Sequence, residues 1–196
     1  MAPATWNFVV SLAAVINGLG IVRLVGGFGD FLKRRNGLEV THYWVYSLMA
    51  IFQLLAHILL WWSIVGLQSA GNINFLTYLY LLIGPTLLFL ATTMLLPTVT
   101  DNKVDLHSEY FEFRRTYYVS LLMFWVWALL LWPAFGYPIS PTWPFIGAWL
   151  VISAVLTISE NRHAHAVLVP ANLLIFVAIV GMFGMQLGGV ARQITG

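Results

Sequence analysis

The chain has 196 residues, of which 60% are hydrophobic, 15% aromatic and only 8% charged, against roughly 25% charged in a typical soluble domain. A formal net charge of +2, with the basic residues scattered through short segments, argues against a nucleic-acid partner, and the absence of cysteine excludes disulfides, thiolate metal sites and thiol catalysis. The composition is that of an all-α, polytopic integral membrane bundle, because a bilayer core of about 30 Å takes about 20 mostly apolar residues per helix.

Six hydrophobic segments, at approximately 6–28, 43–66, 74–96, 117–135, 143–159 and 166–190, read as transmembrane helices of a single domain, 1–196. The first has no basic stretch ahead of it and no small-residue cleavage site, so it reads as a span and not as a removed signal. It carries Asn17 in "AAVINGLG", then Arg23 on one face with Gly20 and Gly27. The second span holds "AIFQLLAHILLWW", in which Gln53 and His57 lie one turn apart on one face. The third contains "IGPT", where Pro85 removes a backbone donor and frees a carbonyl beside Thr86.

The connection after the third span, "PTVTDNKVDLHSEYFEFRRTYY", reads as a turn with a helical approach to the fourth span, a membrane-surface segment over 97–116 with Asp105 a candidate helix cap. The fifth span is short and opens on Pro144, a residue tolerated in a first helical turn. Pro170 and Asn172 lie near the start of the sixth span, and Gly181, Gly184 and Gly188 follow, the last two as a small-xxx-small pair.

Basic residues give the expected orientation. Lys33, Arg34 and Arg35 follow the first span, Lys103, Arg114 and Arg115 the third, and Arg162 the fifth, whereas "GLQSAGNIN" and "GYPISPT" are uncharged. Basic short loops stay cytoplasmic, so both termini are expected on the other side, with the protein in a bacterial cytoplasmic (inner) membrane. Trp6, Trp61, Trp62, Trp132, Tyr137 and Trp143 would then form the outer aromatic belt and Tyr43, Trp44, Tyr117 and Tyr118 the inner one.

Function is written less plainly. With the second span centred near residue 54 or 55, Gln53 falls within about 3 Å of the bilayer midplane and His57 about 4 Å beyond it. Asn17, Gln53, His57, Pro85 and Thr86 are thus expected at one level, drawn from three helices. Such side chains commonly bond helices together in lipid. His57, the one titratable side chain expected at that depth, also marks a path for protons or a small neutral solute. At the cytoplasmic rim, Arg23, His42, Arg162 and Asn172, with Thr92 or Thr93, are candidates for a polar pocket or a lipid-headgroup contact.

Metal and haem chemistry have thin support. Glu160, His163 and His165 in "SENRHAHAV" are the candidate metal ligands, although an i, i+2 histidine pair faces apart on a helix. His42 and His57 are about four turns apart, a spacing that suits two stacked haems, yet His57 has no second histidine at its level. No resident cofactor is expected. No H-E-x-x-H, G-x-S-x-G or phosphate-loop motif is present, and both lysines fall in loops, so an enzyme is not expected. The reading favoured is a channel or transporter for protons or a small neutral solute. A non-catalytic membrane subunit or scaffold that holds partner helices or anionic lipid is the second, and a haem or metal redox protein the third. Membrane lipids are the expected partners, with a homo-oligomer or a membrane-complex partner held through the sixth-span glycines.

Overall fold

The computed structural model describes residues 3–34, 37, 39–65, 74–96, 103–136, 138 and 140–184. Within them the chain is all-α apart from one pair of three-residue strands. The order is α1 (Pro3–Arg34), β1 (Glu39–Thr41), α2 (Trp44–Val65), α3 (Phe75–Thr93), β2 (Lys103–Asp105), α4 (Leu106–Ala134), α5 (Trp143–Ile158) and α6 (Arg162–Ile179), which runs on as a π-helical turn over Val180–Gly184. Five of these helices are long and apolar enough to cross a membrane; α5, at 16 residues, is the short apolar one. That is the make-up of an integral membrane protein.

Helix ends follow local chemistry. The Asn74 side chain accepts from the Thr77 backbone N–H while Thr77 Oγ1 accepts from the Asn74 N–H, a reciprocal cap that starts α3. Asp105 caps α4 by accepting from the N–H groups of His107 and Ser108. Once capped, α4 meets no proline until Pro133, so it runs unbroken from residue 106 through the stretch expected to lie on the membrane surface. Asn161 caps α6 through the His163 N–H.

The helices form a closed circuit in which α1 packs on α3, α3 on α4, α4 on α5, α5 on α6, α6 on α2 and α2 back on α1. α2 also touches α3 and α4. Its buried residues, Val45, Tyr46, Met49, Phe52, Gln53, Ala56, His57, Leu60 and Ile64, recur at three- and four-residue steps, so one stripe faces the other helices. Gln53 and His57 lie on that stripe. Ile51, Ile58, Trp61 and Trp62 are exposed on the opposite side.

The strands pair in parallel, Glu39 opposite Lys103, Val40 opposite Val104 and Thr41 opposite Asp105, and a 2.8 Å ion pair joins Glu39 to Lys103. They gather the connections after α1 and α3 at one end of the bundle. The α5–α6 turn lies at the same end, because Arg114 of α4 bonds Ser159 and Glu160 there. We refer to this as the charged end.

The aromatic reading needs a correction. Tyr117 and Tyr118, expected at the inner interface, are both 1% exposed, and Trp6 and Trp132, expected in the outer belt, are also buried. The expected helical approach after Asp105 and the fourth span are one unbroken helix, which carries the tyrosines three turns into it and onto its packed face. Trp44, Trp61 and Trp62 are exposed, and Tyr137 lies outside the described residues.

Candidate polar site inside the bundle

Five side chains from four helices form one hydrogen-bonded cluster. Asn17 comes from α1, Gln53 and His57 from α2, Thr92 from α3 and Tyr117 from α4. Gln53, His57 and Thr92 have no exposed surface, Tyr117 has 1% and Asn17 3%.

The bonds fix the proton positions. Asn17 Nδ2 donates to the His57 backbone carbonyl at 3.1 Å, so Asn17 Oδ1, 2.7 Å from His57 Nδ1, is an acceptor and Nδ1 carries a proton. In the neutral ring Nε2 is then an acceptor, and it lies 2.7 Å from Thr92 Oγ1. Gln53 Nε2 donates to Thr92 Oγ1 and to the Leu88 carbonyl, each at 2.9 Å, and Gln53 Oε1 accepts from Tyr117 at 3.0 Å. Thr92 Oγ1 is also 3.0 Å from Leu88 O.

Thr92 is therefore placed between two acceptors for its single proton. With neutral His57, the hydroxyl donates to Nε2, and Leu88 O is still served by Gln53. With a doubly protonated ring, Nε2–H donates to Thr92 Oγ1 and the hydroxyl turns to Leu88 O. Every heavy atom keeps its place, and every polar group is paired in both states. Among the described residues the ring's hydrogen-bond partners are Asn17 and Thr92, neither of them a carboxylate, so they meet its charge in the second state with dipoles.

Space around the ring is tight. A Cβ built on Gly20 of α1 would overlap the His57 imidazole, coming to 2.7 Å from Nε2. Glycine here lets the two helices close over the ring.

A second polar chain occupies the charged half of α4. Tyr118 OH is 3.1 Å from Tyr110 OH, which is 2.6 Å from His165 Nδ1. His165 Nε2 is 2.9 Å from the Ser159 carbonyl, which can only accept, so Nε2 carries the proton and Nδ1 accepts from Tyr110. Arg114 Nε donates to the same carbonyl at 3.2 Å, and its Nη2 meets Glu160 at 2.8 Å on the surface. The two chains approach where the Tyr117 and Tyr118 rings pack edge to face, centres 4.9 Å apart.

Of the residues expected at the midplane, Asn17, Gln53 and His57 come together and Thr86 and Pro85 do not. Thr86 is exposed and its hydroxyl bonds back to Leu82 O at 2.8 Å, while Pro85 is buried within α3. The reason is stagger: α3 sets Thr92, not Thr86, beside His57, a slip of about 9 Å along the helix. Thr92 was expected at the rim, and Tyr117 at the interface.

Of the residues expected at the rim, three lie on the surface and one inside. Arg23 and His42 are exposed, as is Arg162, whereas Asn172 is 3% exposed and inside the bundle, where its carbonyl accepts from Trp149 Nε1. Among the described residues no three His, Asp or Glu side chains gather as a metal set. Glu160 is paired with Arg114, His163 is exposed, and His165, like His57, has both ring nitrogens in hydrogen bonds. Gly181 is exposed and a Cβ there would meet nothing within 4 Å, so it makes no close helix contact among the described residues. Gly184 falls in the π-helical turn, and Gly188 lies outside the described residues.

No protein-family model, curated protein or solved structure matches this chain. Its chemistry is read from these side chains alone.

Proposed function

We propose that the protein is a membrane transporter or channel for protons, with His57 as the group that takes up and passes on the proton. The observation that carries this reading is the position of the Thr92 hydroxyl, within hydrogen-bond distance of both His57 Nε2 and Leu88 O. A hydroxyl that can turn between two acceptors lets the imidazole gain and lose a proton without breaking the packing around it. A neutral solute is disfavoured, because close packing of Gly20 on the ring leaves no room for one to pass.

In this reading the proton enters or leaves the cluster on its Tyr117 side, with Gln53 holding Thr92 and Tyr117 in place. The Tyr118–Tyr110–His165 chain leads on to the charged end, where Arg114 and Glu160 reach water. In this reading the charged end faces the cytoplasm of a bacterial cell, with both termini outside, an orientation that the basic segments at that end support.

The competing reading is a scaffold in which the cluster only bonds helices together. It is favoured by the same completeness of pairing, since fully satisfied interhelical bonds need no further purpose. Proton flux into proteoliposomes separates the two, with the parent compared with His57→Phe once both are shown to be folded. Flux that requires His57 is the expected result. Equal flux, or none from the parent under any imposed pH gradient, would leave the scaffold.

A further inference from the structure

At the charged end, the starts of α2 and α6 meet on the same step of α4. The Tyr43 ring, one residue before α2, lies 4.9 Å from His107, 5.3 Å from Tyr110 and 6.2 Å from Phe111, centre to centre. His165 packs from α6 onto Tyr110 and Phe111 as well, at 5.2 and 5.3 Å. Arg162 opens α6 about one turn before His165. Burial pushes the Tyr43 hydroxyl up from its ordinary value and the charge of Arg162 pulls against that rise, so the guanidinium lies within electrostatic reach of the hydroxyl.

The nearest carboxylates in the sequence are already engaged, Glu160 by Arg114 and Glu39 by Lys103. Among the described residues Arg162 has no ion pair and the Tyr43 hydroxyl no hydrogen bond. Their depth points to the missing partner. Ile158, the last residue of α5, is 81% exposed, and Trp44, the first of α2, is exposed too. Apolar and indole side chains left uncovered at the ends of membrane helices belong at the edge of the hydrocarbon. Arg162 follows Ile158 by four residues and Tyr43 adjoins Trp44, so both stand at the level of the lipid headgroups.

We propose that Arg162 and the Tyr43 hydroxyl together bind the phosphate of an anionic phospholipid where α2 and α6 pack together. The guanidinium supplies charge and paired N–H donors, and the hydroxyl adds a donor on a ring fixed by His107, Tyr110 and Phe111. A choline headgroup neutralises the phosphate it carries, so phosphatidylglycerol binds ahead of phosphatidylcholine.

The test presents the full chain, in detergent micelles, with phosphatidylglycerol or phosphatidylcholine and counts bound lipid by native mass spectrometry. The expected result is one phosphatidylglycerol retained in preference to phosphatidylcholine. Arg162→Gln weakens its binding about fivefold, the worth of one basic side chain at an anionic surface. Tyr43→Phe, which keeps the ring and removes the hydroxyl, weakens it as well. Arg115→Gln removes another exposed arginine at the same end and changes binding far less. Unchanged binding in Arg162→Gln or Tyr43→Phe, an equal loss in Arg115→Gln, or no preference between the two lipids would overturn the proposal. Displacement of the lipid by excess inorganic phosphate would overturn it too, by assigning the site to a soluble anion.

Discussion

Thr92→Val removes one hydroxyl and keeps the shape of the side chain, so it isolates the bonds that Thr92 makes. Leu88 O retains Gln53 as its donor, but His57 Nε2 and one N–H of Gln53 lose their partner. Interhelical hydrogen bonds in membranes average about 0.6 kcal/mol and reach about 1.7. Two such bonds therefore put the cost at about 1–3 kcal/mol. Thr92→Ser keeps the hydroxyl and gives up one methyl, a loss of about 0.8 kcal/mol. The assay is the reversible unfolding equilibrium of the parent and both variants in bicelles, followed by proton flux on the folded proteins. Valine is expected to cost more stability than serine and to stop flux, with serine sustaining it. A Thr92→Val protein as stable as the parent that also conducts like it would refute the assignment of the hydroxyl to the cluster.

Further outcomes follow from the same geometry. Gly20→Ala pushes a methyl into the His57 ring and is expected to cost about 1–3 kcal/mol by overpacking and to lower flux, read from unfolding and proteoliposome assays. Tyr117→Phe leaves Gln53 Oε1 without its donor, so flux should fall at a stability cost of about 0.6–1.7 kcal/mol, whereas Thr86→Ala, on an exposed position, should change neither. The Asp105 carboxyl is held below its usual range by the Ser108 hydroxyl and by the N–H groups of His107 and Ser108. Its folded value lies below its unfolded one, so the capping contribution is complete above the unfolded carboxyl range and is lost as pH falls through the folded value. Acid titration of helicity by circular dichroism should show that loss in the parent and not in Asp105→Asn.

Much of the architecture was legible in the sequence because hydrocarbon thickness dictates span length. The apolar runs gave the helices to within a few residues at α2, α3 and α5, and the Asp105 cap was visible as an acidic residue before a helical stretch. Asn17, Gln53 and His57 were found by depth counting, which works when helices cross near their centres. The same counting misplaced Thr86 and overlooked Thr92, because the stagger of α3 against α2 is set by packing between helices and leaves no mark on either alone. Tyr117 was missed for a related reason. Its place beside Tyr118 after a charged segment resembles an interface pair, and only the unbroken run of α4 from its cap carries it inward. Counting from Asp105, twelve residues or about 18 Å, would have put it deep in the bundle.

The hydroxyl exchange at His57 is tested most directly by 15N NMR of its imidazole in lipid bilayers, with pH lowered while the protein stays folded. The account predicts a neutral ring protonated at Nδ1 and accepting at Nε2, then a ring protonated at both nitrogens with the Asn17 bond intact, and loss of the Nε2 hydrogen bond in Thr92→Val. A neutral ring that carries its proton on Nε2, or one that takes up a second proton only when the protein unfolds, would contradict it.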